Sequence, residues 1–292
     1  MFREQINIAA AKSGFICKIC EKNMQDLDFV LCKCVRLPKR VASMLKLDRQ
    51  SFILHQVNLH NKVLSADLSR QIKVSDDTIR RDIKELSDEG KIIKVHGGAL
   101  SCAFHNTYTT ADNVYAYNQK KIIAQKAASI FKNGMFILTT GGSTIIEMAR
   151  ALPPQLNATF ISGSIPALAE YIVHPNIEVI AIGDKISKDS KITVGSDAIS
   201  RIKELKVDLC ILGISAINLQ TGLSDNDWEV VQIKKAMIEA SQRVICLTIS
   251  EKINSRQPFQ VCEINKIDTI ITELSPDDKI LVPYIKAGIR VL

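Results

Sequence analysis

The sequence has little of what marks a membrane, secreted or fibrous protein. Among its 292 residues, no apolar run approaches the roughly 20 residues that a membrane-spanning helix needs. The N-terminus lacks the charged, apolar and small-residue succession of a secretory signal. The eight cysteines form no dense framework, which is typical of a reducing compartment. No internal repeat or low-complexity segment is visible. We therefore expect a cytoplasmic chain that does not enter a membrane and has room for two domains.

The net charge of +7 is unevenly distributed along the chain. Residues 1–43 hold 8 Lys/Arg and 4 Asp/Glu, residues 44–100 hold 10 and 8, and the remainder holds 20 and 19. Overall basicity is therefore a weak indicator of a nucleic-acid partner. DNA binding is better indicated by where the charges lie along the chain than by their sum.

Residues 65–98 have the pattern of two short helices around a tight turn, followed by a basic hairpin. Ser65 is predicted to cap the first helix and Ser75 the second, because a serine hydroxyl accepts a hydrogen bond from a free N–H at a helix start. Gly90 is predicted to end the second helix in a left-handed conformation. The apolar stripe of the second helix consists of Ile79, Ile83 and Leu86. Two helices separated by so few residues meet at a steep angle, as in a helix-turn-helix.

The other surfaces of the second helix carry groups that suit DNA. Residues near the N-terminus of a helix in the major groove reach base edges, and Arg80 or Arg81 could bridge guanine O6 and N7. Residues 91–96 alternate polar and apolar, as a half-buried strand does, which would lay basic side chains along the phosphates. The predicted DNA-contacting residues are Ser65, Ser75, Thr78, Arg80, Arg81, Lys84, Lys91, Lys94, His96 and Gly97. The pattern predicts a winged helix-turn-helix domain over residues 44–100.

Beyond this domain the pattern changes. Residues 101–117 have no sustained period and are predicted to form a linker, with Gly97-Gly98 turning the chain away from the hairpin. Residues 118–292 alternate short apolar strands with helices, which predicts an α/β domain on a mostly parallel sheet covered on both faces. The predicted strands cover 135–139, 158–161, 177–182, 207–214, 243–249 and 269–272.

Several of the predicted strands end in loops with anion-binding chemistry. Ligands of such sheets bind beyond the carboxyl ends of the strands, where glycines permit close approach and a helix N-terminus attracts an anion. The predicted effector-binding residues are Thr140, Gly141, Gly142, Ser143, Thr144, Ser162, Gly163, Ser164, Gly213, Asp225, Lys234 and Lys252. Their amides, hydroxyls and ammonium groups predict a pocket for a small phosphorylated metabolite, and no cofactor is expected.

The run VSDDTIRRDIKELSDEGKIIKVHGGA resembles the N-terminal signature of the DeoR family of bacterial transcriptional regulators. The preceding residues 47–73 resemble that family's first two helices, and the resemblance continues to about Thr272. It implies a recognition helix that contains Thr78, Arg80 and Arg81. We therefore expect a regulator of double-stranded operator DNA, a repressor, which as a symmetric homo-oligomer would present two recognition helices to repeated half-sites.

The same resemblance implies a C-terminal sensor domain similar to the ribose-phosphate isomerase and CoA-transferase folds, which senses a phosphorylated sugar or related metabolite. Residues 139–144 resemble the family's Gly-Thr-Thr loop, residues 227–237 its Lys-Arg-Ala-Met helix, and residues 250–252 its Asp-Ser-x-Lys segment. The departures from the family pattern are Thr139-Thr140, Ile161-Ser162-Gly163 and Ile249. Because polar groups are lost there, an altered or absent effector stays open.

Two other functions stay open from the residues alone. A sugar-phosphate isomerase-like enzyme would need a carboxylate base, for which Asp225, Asp227 and Glu229 are candidates, although carboxylates at a loop–helix junction are more often caps. A protein-binding winged helix would use Arg80 and Arg81 for a partner's acids. The DNA affinity of such a domain would not depend steeply on salt concentration, because that dependence comes from the release of counterions from DNA.

Residues 1–43 do not resemble the family. Their cysteines Cys17, Cys20, Cys32 and Cys34 have the spacing C-x2-C-x11-C-x-C, which admits a tetrathiolate zinc site by ligand type. The C-x-C pair is not usual zinc-knuckle geometry. We favour the alternative that Met44 is the true start, so that residues 1–43 are translated upstream sequence or a disordered tail, and no metal is expected.

Overall fold

The computed structural model describes residues 45–60, 62–102 and 114–292. The predicted extension with its four cysteines lies outside the described residues, as does most of the predicted linker. Within the described ranges, no helix is both long and apolar enough to cross a lipid bilayer.

Over residues 45–60 and 62–101, the structure combines three helices with a three-stranded antiparallel sheet. The helices are α1 (Lys46–His60), α2 (Ser65–Ile72) and α3 (Asp76–Asp88), and the strands are β1 (Lys62–Leu64), β2 (Ile92–Val95) and β3 (Gly98–Ser101). The strands lie in the order β1-β3-β2. The predicted stripe of α3 packs with Ile53 and Val57 of α1 in one apolar core, because burial of one face holds short helices together. The predicted winged helix-turn-helix is confirmed.

Both ends of α3 follow the predicted local chemistry. The Ser75 hydroxyl accepts a hydrogen bond from the N–H of Thr78 at 3.3 Å. Gly90 has a φ of +71°, and the N–H groups of Gly90 and Lys91 bond back to carbonyls of the last turn, each at 2.9 Å. This is the Schellman arrangement, in which a glycine in the left-handed region ends the helix.

The start of α2 differs from the prediction. Leu64 occupies the capping position in extended conformation without a side-chain cap bond, and Ser65 is the first helical residue. β1 runs directly into α2, so no loop residue is left to act as the cap. Ser65 is instead buried, and its N–H donates to the carbonyl of Gly97 at 2.8 Å. The prediction that Ser65 caps this helix was wrong.

The wing also differs in one respect. The chain does not leave after Gly97-Gly98 but returns as β3, which pairs with both β1 and β2. A Cβ on Gly98 would lie 1.9 Å from the carbonyl oxygen of Val63. Only glycine therefore lets β3 approach β1 this closely.

The C-terminal part is built on seven parallel strands. In chain order its helices are α4 (Tyr117–Ala128), α5 (Ser143–Arg150), α6 (Ile165–Ile172), α7 (Ser196–Glu204), α8 (Trp228–Glu239) and α9 (Val282–Lys286), with 3-10 turns at Ser250–Lys252 and Ile264–Lys266. Its strands are β4 (Phe136–Thr139), β5 (Thr159–Ser162), β6 (Glu178–Ala181), β7 (Lys185–Ser187), β8 (Ile192–Val194), β9 (Val207–Gly213), β10 (Ala216–Asn218), β11 (Gly222–Asp225), β12 (Ser241–Leu247), β13 (Phe259–Cys262), β14 (Thr269–Ile271) and β15 (Arg290–Val291).

The main sheet has the order β15-β14-β12-β9-β4-β5-β6, and all its pairings are parallel. Helices α4, α5 and α6 contribute to an apolar cluster on one face, and α7, α8 and α9 to a cluster on the other. The predicted parallel sheet covered on both faces is confirmed. The strands β10, β11 and β13 form a separate antiparallel sheet, and β7 pairs with β8.

Helix α1 belongs to both parts of the fold. Ile53 and Val57 lie in the winged-helix core, whereas Leu59, 5% exposed, packs in the cluster formed by α4, α5 and α6. Residues 44–292 accordingly form one compact unit. The predicted division into a DNA-binding domain and a sensor domain stays a prediction. Helix α1 lies within the first of these ranges in the sequence, but its side chains pack in the cores of both parts.

Candidate functional sites

The exposed side of α3 carries the predicted DNA-contacting cations. Arg80, Arg81 and Lys84 are exposed, and Thr78 is half-buried. Arg80 Nη2 lies 2.6 Å from Asp76 Oδ2, one turn earlier. Because such an exposed i,i+4 pair contributes only about 0.3–0.5 kcal/mol, it orients Arg80 without preventing it from contacting a phosphate or a base.

The wing presents its basic residues on the outside. Lys91, Lys94 and His96 are exposed, while Ile92 is buried, as the predicted alternation requires. Lys91 Nζ lies 2.8 Å from Glu89 Oε2 at the end of α3. The wing and the exposed side of α3 therefore offer cations that a DNA backbone can neutralise.

A buried ion pair that the sequence reasoning missed holds α3 against α1. Arg49 Nε lies 2.5 Å from Asp82 Oδ2, and Arg49 Nη2 donates to Asp82 Oδ1 at 3.1 Å. Asp82 is 2% exposed, and its hydrogen bond to the guanidinium raises the pKa of Arg49. A signal was present, because Asp82 falls within the apolar stripe of α3, where a carboxylate needs a partner.

A cavity of about 110 Å³ lies beyond the carboxyl ends of β4 and β9. The predicted residues that line it are Thr140, Gly141, Gly142, Ser143, Thr144, Gly213, Asp225, Lys234 and Lys252. Other residues in its wall include Asp189, Ser190, Ser215, Asn226 and Asp227 and, from the winged-helix part, His60, Lys62 and Leu100. The structure therefore gathers most of the predicted effector-binding residues around one space, at the place that a parallel sheet offers to ligands.

The loop between β4 and α5 forms one side of the cavity. The Thr140 hydroxyl accepts a hydrogen bond from the Gly213 N–H at 2.8 Å, which ties this loop to the end of β9. Ser143 and Thr144 begin α5 and line the cavity. The positive end of a helix dipole and two hydroxyls thus stand at the wall, where they favour an anion.

Lys234 and Asp225 form a buried pair in the same wall. Lys234 Nζ lies 2.6 Å from Asp225 Oδ2 and donates to the carbonyl of Gly213 at 2.9 Å, and each side chain is 6% exposed. Burial acts to raise the pKa of Asp225, but the charge and hydrogen bond of Lys234 outweigh it and hold that pKa below its usual value. The pair is therefore ionised, and the lysine is held in place by two acceptors.

Lys252 supplies a second ammonium group. It is half-buried, and its Nζ donates to the carbonyl of Ile214 at 3.0 Å. Burial lowers the pKa of Lys252 to about 8, with the charge of Asp225 acting in the opposite direction. An anion in the cavity would stabilise this ammonium group, since an opposite charge favours the charged form.

Three predicted effector-binding residues do not reach the cavity lining. Ser162 is fully buried, and its hydroxyl donates to the carbonyl of Thr139 at 3.0 Å. The carbonyl of Gly163 accepts a hydrogen bond from the Thr193 hydroxyl at 3.0 Å, and Ser164 is 1% exposed. Ser162 and Gly163 thus bond to neighbouring strands. The Ser164 hydroxyl has no hydrogen-bond partner among the described residues and lies against Gly141 of the cavity loop, where it would stand 2.7 Å from a Cβ on that glycine. The expectation that these three residues form part of the pocket is corrected.

The three carboxylates considered as a catalytic base are engaged elsewhere. Asp225 pairs with Lys234, as described, and Asp227 caps α8 by accepting hydrogen bonds from the N–H groups of Glu229 and Val230 at 3.0 and 3.3 Å. Glu229 lies 2.9 Å from Lys185 Nζ. This is the capping and pairing expected of carboxylates at a loop–helix junction.

Two protein-family models match the chain. The DeoR-like helix-turn-helix domain matches residues 49–104, and the DeoR C terminal sensor domain matches residues 115–274. The second match alone covers more than half of the sequence. The chain belongs to the DeoR family.

Proteins named as transcriptional regulators match this DeoR-family chain over nearly their whole length. The HTH-type transcriptional regulator GolR of Listeria innocua is 27% identical over 250 residues, which cover 85% of this chain and 98% of GolR. The glycerol-3-phosphate regulon repressor of Escherichia coli is 28% identical over 235 residues, which cover 80% of this chain and 93% of the repressor. The DeoR-family chain is thus a transcriptional regulator that binds DNA, not an enzyme.

Among solved structures, ribose 5-phosphate isomerase A from Neisseria gonorrhoeae shares 18% identity at a TM-score of 0.34. The match covers 46% of this chain and 52% of the isomerase. A likeness this distant does not bear on function.

Near the cavity of this DeoR-family chain lies a buried lysine that the sequence reasoning missed. Lys120 of α4 is 5% exposed, and its Nζ donates to the carbonyl of Tyr115 at 2.5 Å. Burial lowers the pKa of Lys120 to about 7, assisted by the charge of Lys252 and opposed by Glu147 and Glu251. The folded state therefore releases a proton from this lysine much more readily than the unfolded state does.

We expect the free energy of unfolding to rise from pH 7 to pH 9 more steeply in the wild type than in the Lys120→Met variant. Lys120 has a pKa of about 7 when folded, against an ordinary value of 10.5. The unfolded state therefore binds more protons across this window, and stability increases with pH. A difference of one bound proton between the unfolded and folded states raises the free energy of unfolding by about 1.4 kcal/mol per pH unit. Denaturant titrations at several pH values measure it, and equal slopes in both proteins would contradict it.

Proposed function

We propose that the chain is a repressor whose affinity for operator DNA is controlled by a phosphorylated sugar or related small metabolite. The proposal rests on one observation, the gathering of Lys234, Lys252 and the α5 N-terminus around a single cavity in a chain that also presents a recognition helix. The regulon named for the Escherichia coli relative is that of glycerol 3-phosphate, a compound of this class.

For DNA, we propose that α3 enters the major groove and the wing lies along the backbone. Arg80 and Arg81 are one turn from the N-terminus of α3 and are exposed, which suits contact with base edges. Lys84, Lys91 and Lys94 would contact phosphates, which position the protein without reading sequence. Ser75, Thr78, His96 and Gly97 complete the proposed contact surface. Ser65 is nearly buried, so its contribution would come through its position beside the wing rather than through its hydroxyl.

For the effector, the size and chemistry of the cavity favour a small anion. A space of about 110 Å³ accommodates a phosphate group with a short polar carbon chain rather than a nucleotide. The wall combines hydroxyls and backbone amides of the loop into α5 with the ammonium groups of Lys234 and Lys252, which suit a phosphate, and with carboxylates such as Asp189 and Asp227, which can accept hydrogen bonds from sugar hydroxyls. The departures at Thr139-Thr140 and Ile249 would alter which sugar is preferred.

We further propose that the protein acts in the cytoplasm as a symmetric homo-oligomer. Two recognition helices would then meet half-sites about one helical turn apart, or a multiple of it. The effector would shift operator affinity only to the extent that it binds two arrangements of the protein with different affinities.

The Arg81→Ala variant is expected to bind operator DNA roughly 10- to 100-fold more weakly, because one bidentate arginine–guanine contact contributes about 1–3 kcal/mol of discrimination. Fluorescence anisotropy with the promoter fragment upstream of the protein's own gene measures this, between about 50 and 200 mM salt. Lys94→Ala should instead reduce the slope of log K against log salt by about 1. Lys203→Ala, an exposed lysine of α7, is the matched control and should leave binding unchanged.

Salt-insensitive binding, or a loss for Arg81→Ala no larger than for Lys203→Ala, would contradict the DNA-reading role of α3. Release of the promoter fragment by glycerol 3-phosphate or a hexose 6-phosphate, but not by the unphosphorylated compounds, would support the effector class. Equal response to phosphorylated and unphosphorylated compounds would contradict it.

A further inference from the structure

The cavity wall is made by both parts of the chain. His60, the last residue of α1, and Lys62, the first residue of β1, line it together with the loop that leads into α5. Neither residue belongs to the strand-end loops that a parallel sheet supplies to its ligands. The DNA-reading part therefore contributes a basic side chain and an imidazole to the space proposed for the effector.

Lys62 is held in the wall by contacts with the sensor part. Its Nζ lies 2.6 Å from Asp189 Oδ2, and its carbonyl accepts a hydrogen bond from the Asn226 side-chain amide at 2.8 Å. The Lys62 and Asp189 side chains are 31% and 41% exposed. An ion pair this open to solvent contributes little, so a more highly charged anion in the cavity can attract the ammonium group away from Asp189.

His60 is placed to respond to the same anion. Its Nδ1 lies 3.1 Å from the Gln257 side-chain amide nitrogen. Burial and the charge of Lys252 lower the pKa of His60 to about 4, against a hydrogen bond to the Ser215 backbone and the charge of Asp225, so the ring is neutral at pH 7. A nearby phosphate would reverse the effect of Lys252, because an opposite charge favours the protonated ring.

We propose that His60 and Lys62 are effector-binding residues, so that the phosphate of the ligand is held by the DNA-reading part and the sensor part at once. This rests on the proposed function, since it assigns further residues to the same cavity. The ligand then binds the docked arrangement, in which α1 and β1 close the wall, more tightly than any arrangement in which they have moved away. Differential binding of this kind is what allows a ligand to shift a conformational equilibrium.

Helix α1 connects this site to the recognition helix. Its last residue lines the cavity, while its first turns hold α3 through the pair of Arg49 with Asp82 and through Gln50, whose amide donates to Glu85 at 2.6 Å. A ligand held by His60 and Lys62 therefore restrains the helix that positions α3. No separate relay of side chains through the sensor sheet is needed.

The test is calorimetric titration of the full chain with inorganic phosphate, glycerol 3-phosphate and glucose 6-phosphate. Lys62→Ala is expected to weaken binding of the phosphorylated compounds about tenfold, because it removes one charge-assisted hydrogen bond. Asp189→Asn is expected to tighten binding roughly two- to fivefold, because it removes the carboxylate that competes for Lys62. Lys188→Ala, the loss of an exposed positive charge next to Asp189 in the chain, is the control and should match the wild type within about twofold.

Opposite effects of Lys62→Ala and Asp189→Asn, together with weaker binding in His60→Ala, would establish the proposal. If both substitutions weaken binding, the pair serves only to dock the two parts, and the proposal is overturned. If neither changes binding while the wild type binds a phosphorylated compound, the proposal is overturned but the effector class stands. If the wild type binds none of the probes, the effector class is itself wrong, and the assignment of His60 and Lys62 fails with it.

Discussion

Replacing Lys234 with methionine is expected to lower the free energy of unfolding by about 3–5 kcal/mol, the effect of leaving a buried charge without its partner. Asp225 would remain in a site where its side chain is 6% exposed, and the Gly213 carbonyl would lose its donor as well. The carboxyl would recover part of this loss by taking up a proton, so the pKa of Asp225 should rise above its ordinary value in the variant. The stability of the variant should then fall as the pH rises from the ordinary pKa of Asp225, 3.8, through its raised value, because the folded state binds more protons than the unfolded state in that window.

Chemical denaturation followed by circular dichroism measures the loss. The matched control is the double variant Asp225→Asn/Lys234→Met, which removes both charges and should recover a large part of the stability, because neutral replacements of a buried pair are commonly tolerated. A single variant that is no less stable than the double variant would show that the pair is not buried in solution as it is here.

Replacing Arg49 with methionine is the second large change, with an expected loss of about 3–5 kcal/mol for the same physical reason. Asp82 is 2% exposed and lies on the face of α3 that packs against α1. Without the guanidinium, α3 should also lose its fixed angle to α1, so operator affinity should fall although Arg49 lies outside the proposed DNA-contacting surface. Denaturation and promoter binding, measured on the same preparation, separate the two effects.

The control for this variant is Arg70→Ala. Arg70 pairs with Asp67 within α2, with side chains 78% and 29% exposed, and pairs this exposed contribute about 0–1 kcal/mol. A loss in Arg49→Met no greater than in Arg70→Ala would contradict the assigned role of the buried pair. Weakened promoter binding at unchanged stability would instead indicate that Arg49 acts on DNA directly.

Local sequence signals predicted α3 and the main sheet well. A capping serine, a stripe at helical spacing and a glycine at the end are consequences of backbone chemistry within a few residues, and all three are present around Ser75 and Gly90. The six predicted strands are found within about two residues of their predicted ends. The inner strands of the sheet are buried on both faces and therefore have to be apolar runs, whereas β6 at the edge is mostly exposed. The sequence does not predict β7, β8, β10, β11, β13 and β15, which lie outside the apolar runs of the main sheet apart from the two-residue β15 at its edge.

The parts that were wrong or missed depend on contacts between distant segments. The same serine-cap rule that succeeded at Ser75 failed at Ser65, because β1 leads directly into the helix and no loop is available. The polar loop after β5 has the composition of a ligand site, but it bonds to its neighbouring strands. His60 and Lys62 have no local signal for a ligand, since only the docking of α1 brings them to the cavity. Asp82 alone could have been flagged, as a charge within an apolar stripe.

The placement of Leu59 has an evolutionary consequence. Leu59 of α1 packs in the core of the sensor part, whereas Ile53 of the same helix packs in the core of the DNA-reading part. The sensor part therefore cannot be exchanged for another by recombination between residues 103 and 113 without losing a core side chain. A sensor part exchanged at that position would lack the Leu59 side chain in its core. A helix of the new DNA-reading part would have to supply an apolar side chain of similar size at the same place. Recombination within such a lineage is expected to carry the last turn of α1 along with the sensor, so that the two parts diverge together.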